Sequence, residues 1–173
     1  MTSATDAPVS IRMFSPGRSD LSSLVEYLWV LEVPSQAATE RVHATGKPQL
    51  LVHAGPSFVE QDANGQQHRQ QGVHLGGQTT RYMDATAEKG TRSVGVVFKA
   101  SGLRAFVDVP AGLVANGQAS VADLAGCLVE LQQLPAHELA TWDLVCRIES
   151  VLAKGVKRDV RIRIASHLTE YVE

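Results

Sequence analysis

The chain has 173 residues, a formal net charge of −2 and 44% hydrophobic content, which suits one domain with one real core, or one domain with a small appendix. The charge balance lacks the basic face of a nucleic-acid-binding surface and the polybasic patch of a membrane-surface protein. Met1 to Ser10 shows no signal-peptide pattern, and no apolar run nears the roughly 20 residues that span a bilayer, so the expected setting is cytoplasmic with no membrane partner.

Residues 1–19 read as a flexible N-terminus punctuated by Pro8, Pro16 and Gly17. Asp20 is placed to cap a short helix holding Leu21, Leu24, Val25 and Leu28. An extended stretch from Tyr27 to Val33 follows and stops at Pro34. From there to about residue 98 the signals are those of strands. Gln49 to His53 is a compact apolar run closed by Gly55-Pro56, and Ser57 to Gln61 follows at once. Asn64-Gly65 predicts a type I′ hairpin turn, because both central positions of that turn need positive φ. Val73 to Leu75 ends in Gly76-Gly77, and Arg92 to Phe98 is a further strand.

The last third changes period. Ser101 opens a short helix through Phe106. Ser120-Val121-Ala122-Asp123 resembles a capping box, followed by Leu124, Leu128, Leu131 and Leu134 at helical spacing. Ala136 to Ala153 predicts another helix, with Leu139, Trp142, Val145, Cys146, Ile148, Val151 and Leu152 on or near its buried face and Gly155 as its C′ residue. Val160, Ile164, Leu168 and Val172 form a final amphipathic stripe. The expected class is α+β: an antiparallel barrel or sandwich over 20–110, a helical coupling or dimerisation region over 111–155, and a linker helix or the start of a further domain over 156–173.

Chemical motifs are sparse. The histidines His43, His53, His68, His74, His137 and His167 contain no His-x-His pair of the kind that sets two ligands on one strand face. They read as packed or surface residues, and no metal is expected. Cys127 and Cys146 lack the cationic neighbourhood of a reactive thiol, Arg147 apart, and read as reduced core residues. The Gly-rich run Gly72 to Gln78 lacks the lysine and spacing of a phosphate loop. Its glycines suit a tight bend between strands. No catalytic residue and no cofactor is expected, and the chain reads as a non-enzyme.

What remains is an ordered series. It runs through Tyr27-Leu28-Trp29-Val30-Leu31, Arg41 to Val52, Gly55-Pro56, Gly76-Gly77-Gln78-Thr79-Thr80-Arg81, Val94 to Lys99, Gly102 to Phe106, Val109-Pro110-Ala111 and Val121 to Gly126. This series resembles the N-terminal domain of a subgroup of AraC-type transcription regulators, over about residues 20–155. The resemblance implies a β-rich, cupin-like sensor for a small-molecule effector, followed by coupling helices. It also implies a C-terminal domain with two helix-turn-helix units, absent from these 173 residues, so DNA is a partner only through that further domain. Paired half-sites favour two-fold proteins, which makes a homodimer the expected assembly. The chain departs from the family at Ala44 and His53, where a proline and an asparagine are common.

A sensor pocket needs apolar walls with a few directional polar groups. Strand alternation puts Gln49, Leu51 and His53 on one face and Leu50 and Val52 on the other. Gln49 and His53 are therefore the candidate ligand-binding residues of that strand, and Arg81 is placed to meet an anionic ligand. Two other readings stay open. One is a small cupin-like metal-binding protein or enzyme; the other is a standalone sensor or interaction module that pairs with a full-length regulator. Effector, target genes and direction of regulation are not encoded in any motif.

Overall fold

The computed structural model describes residues 8–70, 72–107, 114–124 and 127–156. Its strands are β1 (Ser10–Phe14), β2 (Val25–Glu32), β3 (Ala38–Val42), β4 (Gln49–His53), β5 (Val59–Gln61), β6 (Gln67–Arg69), β7 (Val73–Gly76), β8 (Met83–Ala87), β9 (Arg92–Phe98) and β10 (Gln118–Ser120). They form a six-stranded sheet in the order β1-β2-β9-β4-β7-β10 and a four-stranded sheet in the order β3-β8-β5-β6. Every pairing is antiparallel. The fold is a sandwich-like α+β arrangement. The barrel alternative is corrected: the strands divide between two separate sheets, each with its own end strands.

The central strands explain the layering. In β9, Val94, Val96 and Phe98 alternate with Ser93, Gly95 and Val97, and β4 alternates in the same way. Leu28, Val30, Leu50, Val52, Val94, Val96 and Phe98 join the larger core on the outer face of the six-stranded sheet. That core is completed by Leu128, Leu131, Leu144, Ile148 and Leu152 from the C-terminal segments. The opposite face points at the smaller sheet, where Val33, Leu51, Phe58 and Ala87 form a second core with Trp29 and Leu31. The face carrying Gln49, Leu51 and His53 therefore lies between the sheets.

The helical region is leaner than the expected bundle. One α-helix, α1 (Thr141–Gly155), is present among the described residues, preceded by 3₁₀ segments at Gly102–Ala105, Val121–Asp123 and Cys127–Gln133. Leu128, Leu131 and Leu134 recur every third residue, which suits the three-residue 3₁₀ turn. Ser120 caps as expected, its Oγ accepting from the Ala122 N–H. Helix α1 starts five residues later than Ala136 because Pro135 and Ala136 sit in a turn, with Glu138 N bonded to the Pro135 carbonyl. Trp142 faces outward, 51% exposed, with Phe14 and Arg12 against its ring, and Cys146 is exposed too. Gly155 is a helical residue rather than a left-handed terminator. A Cβ there would lie 1.8 Å from Cys127 Sγ, so close packing on the Cys127–Gln133 segment selects glycine.

The N-terminal half also differs in detail. Strand β1 lies inside the stretch read as flexible, and pairs with β2 along its whole length. Asp20 sits in the 3₁₀ turn Ser19–Leu21, while Val25 and Leu28 belong to β2. The hairpin at Asn64-Gly65 exists, but only Gly65 has positive φ (81°). Asp62 Oδ1 accepts from the Asn64 and Gln66 backbone N–H groups, and Gly65 N bonds to the Asp62 carbonyl. The aspartate thus builds a type I turn ending in a left-handed glycine, instead of type I′. The stripe expected over Val160 to Val172 lies outside the described residues. Among those described, no helix is long and apolar enough to cross a membrane.

Candidate functional site

Between the sheets runs a cleft with two chambers. The first, about 390 Å³, is the more polar of the two and is walled by residues that include Gln49, Glu60, His68, Gln70, Arg81 and Gln118. The second, about 270 Å³, is walled by Tyr27, Trp29, Leu31, Phe58, Met83 and Ala85 among others. Gln49, Leu51, Glu60, Gln70 and Met83 line both, and so mark the junction.

Glycine makes room for the apolar chamber. Gly95 pairs with Trp29 across β9 and β2, and a Cβ there would lie 2.0 Å from Trp29 Cε2. Without that side chain the indole lies over the β9 backbone, the usual partnership of an aromatic ring with a strand glycine. Trp29 then stacks with Phe58, the residue just before β5 of the opposite sheet, ring centroids 6.5 Å apart.

A polar network crosses from one sheet to the other beside the junction. Glu60 on β5, 5% exposed, accepts from the side-chain amides of Gln70 and Gln118, and its Oε2 lies 2.8 Å from His68 Nε2. Gln118 belongs to β10, the end strand of the six-stranded sheet, and His68 to β6, the end strand of the other. These contacts therefore join the two sheet edges at the polar chamber. The second crossing is buried: His53 Nε2 meets Gln70 Oε1 at 2.9 Å, and His53 Nδ1 meets Ser93 Oγ at 2.7 Å. Because the Glu60 carboxylate is an acceptor, Gln70 must turn its NH₂ toward Glu60 and its carbonyl toward His53. His53 then donates from Nε2 and accepts the Ser93 hydroxyl at Nδ1. Burial, and next the neighbouring His74, lower the His53 pKa from 6.5 to about 4, against the Gln70 hydrogen bond, which raises it. The ring is neutral near pH 7.

The mouth is shaped by a second close approach. A Cβ on Gly77 would lie 1.6 Å from the Val114 carbonyl oxygen, so the loop after β7 can lie against the strand-to-strand connection only with glycine there. Thr80 adds two hydrogen bonds, from its N and Oγ1 to Asn116 Oδ1, at 2.8 and 3.0 Å. Arg81 follows directly and stands exposed at the rim.

The residues singled out by sequence are thus placed unequally. Gln49 lines both chambers and Arg81 the polar one. His53 lines neither, but holds Gln70, which lines both. Sequence reading missed Glu60, Gln70, Gln118 and the aromatic wall. For Glu60 a signal existed: alternation over Phe58-Val59-Glu60 sets a carboxylate on the same face as a phenylalanine. Gln118 had none, since its position depends on how the edge strands meet. Among the described residues no group of three or more His, Cys, Asp or Glu is arranged to hold a metal ion.

Fold and cleft together define a two-sheet sandwich enclosing a divided, part-polar cavity. A family model described as a domain of unknown function, DUF6597, matches residues 13–120, and the chain belongs to that family. No curated protein and no solved structure matches it. The matched span contains β2 to β9 complete, ends on Ser120 at the close of β10, and so includes the whole polar network.

Proposed function

We propose that this chain is the effector-sensing domain of an AraC-type transcription regulator, binding a small molecule between its two sheets. The observation that carries the reading is the two-chambered cleft, with apolar walls on one side and a few directional polar groups at the junction, the make-up of a small-molecule site. The ordered motifs from Tyr27 to Gly126 support the family. Gln49 contacts the ligand directly, Arg81 stands at the entrance, and His53 acts at one remove by holding Gln70. DNA is reached only through a separate helix-turn-helix domain, and the sensor works in the cytoplasm as a homodimer.

A sensor must also differ between its bound and unbound states, since a ligand with equal affinity for both shifts nothing. The hydrogen bonds supply a physical connection to the C-terminal region. Ser93, the end of the His53 chain, neighbours Arg92, whose guanidinium donates to the carbonyls of Ala136 and His137 at 2.8 and 3.4 Å just before α1. A ligand that shifts Gln70 therefore acts on a chain of contacts that ends beside that helix.

The test is a thermal-shift survey of the chain against a chemically broad metabolite set, followed by operator-binding assays of a full-length regulator carrying it. The expected result is a hit that raises the unfolding temperature and changes operator affinity. If nothing in the survey stabilises the chain, the sensor reading is refuted. If Gln49→Ala leaves the affinity for a hit unchanged, Gln49 is not a contact.

A further inference from the structure

We infer that the cleft recognises an organic cation carried on an apolar or aromatic body, with Glu60 as the group that receives the charge. The inference rests on the sensor reading above and deepens it.

Position comes first. Glu60 lines both chambers, so a ligand that fills the apolar chamber and reaches toward the polar one passes its carboxylate. Composition comes second. The carboxylate is 5% exposed, yet the groups that meet it are the amides of Gln70 and Gln118 and the imidazole of His68. The amides are neutral, and the histidine is charged only when protonated. Buried carboxylates are ordinarily matched by a full positive charge, and this one has no Lys or Arg partner among the described residues. Among the described residues its Oε1 accepts from Gln70 alone, which leaves acceptor capacity for an ammonium proton.

The walls fit the same chemistry. Tyr27, Trp29 and Phe58 line the apolar chamber, and aromatic faces attract cations as well as apolar rings. The other charges at the polar chamber do not redirect the choice. The oxygens of Asp62 are occupied by its own turn through Asn64 and Gln66. Arg81 is exposed at the rim, where solvent weakens its attraction for an anion. An anionic head seated at the junction would face Glu60 at short range in a low-dielectric setting.

Calorimetry with three probes of one shape tests this: tryptamine, its neutral counterpart tryptophol, and indole-3-propionate. Tryptamine is expected to bind at least about tenfold more tightly than tryptophol, the scale of one charge-assisted hydrogen bond, with the propionate weakest. Glu60→Gln is expected to abolish the preference for tryptamine, read as the ratio of its affinity to that of tryptophol within the same variant. The comparison within the unaltered chain stands even if that variant folds poorly. Equal or tighter binding of tryptophol or of the propionate overturns the inference, as does an undiminished preference in Glu60→Gln, or no binding of any probe. The two readings fail separately: a neutral or anionic hit in the metabolite survey sinks the cation inference and leaves the sensor intact, whereas an empty survey sinks the sensor.

Discussion

Replacing His53 by Gln removes an imidazole that folding holds neutral, and the consequence is a measurable change in how stability depends on pH. The folded His53 titrates at about 4 and the unfolded one at 6.5. Its folded-state pKa is depressed, so its contribution is fully present above pH 6.5 and is lost as pH falls toward 4, because the unfolded chain takes up the proton first. Full separation of the two values corresponds to about 3 kcal/mol at 1.36 kcal/mol per unit. Between pH 7 and pH 5 the linkage relation gives a loss of about 2 kcal/mol from this one group. Urea unfolding of the native chain and of His53→Gln at both pH values isolates it, since the remaining titrating groups are common to both. The native chain should lose about 2 kcal/mol more than the variant over that interval. A difference below about 0.5 kcal/mol would show that His53 is hydrated or charged in the folded chain, and the buried-chain account would fall.

The glycine approaches give further expectations. Gly95→Ala sets a methyl 2.0 Å from Trp29 Cε2, and should cost about 1–3 kcal/mol by overpacking. It should also shift the Trp29 emission, read in a Trp142→Phe background that leaves one indole; unchanged emission and stability would contradict the stacking over β9. Gly155→Ala should destabilise by a similar amount of about 1–3 kcal/mol, although alanine is the better helix former by about 1 kcal/mol. A Cβ there also meets Cys127 Cβ at 2.6 Å, so combining Gly155→Ala with Cys127→Gly, which removes both atoms, should recover part of that loss in a double-mutant cycle; strictly additive effects would show that the Cys127 contact is not the cause.

The strands most legible in the sequence were the buried ones. Gln49 to His53 and Arg92 to Phe98 coincide with β4 and β9, because short, mostly apolar runs between turn signals have few other solutions. Strand β1 escaped notice because its inward residues Ile11 and Met13 remain 62% and 60% exposed, and its pairing comes from β2 rather than from its own pattern. Asn64-Gly65 announced a hairpin, but the turn type was settled by Asp62, two residues upstream. Helical spacing alone sets Trp142 on or near a buried face. Its actual partners, Phe14 and Arg12, lie 128 and 130 positions away in the chain. The site divides in the same way. The place of Gln49 on the cleft-facing side of β4 was legible because strand alternation is local, whereas Glu60, Gln70 and Gln118 come together only when two sheet edges meet.

The hydrogen-bond chain from Glu60 to Ser93 has a direction, and that direction makes His53 an internal reporter. As long as Gln70 offers its NH₂ to Glu60, the His53 proton is held on Nε2. Should a ligand take the Gln70 place on the carboxylate and let that amide turn over, the proton must pass to Nδ1 and the Ser93 hydroxyl must swing away. The ¹⁵N shifts of one buried ring would then register an event at the cleft junction without the ring touching the ligand.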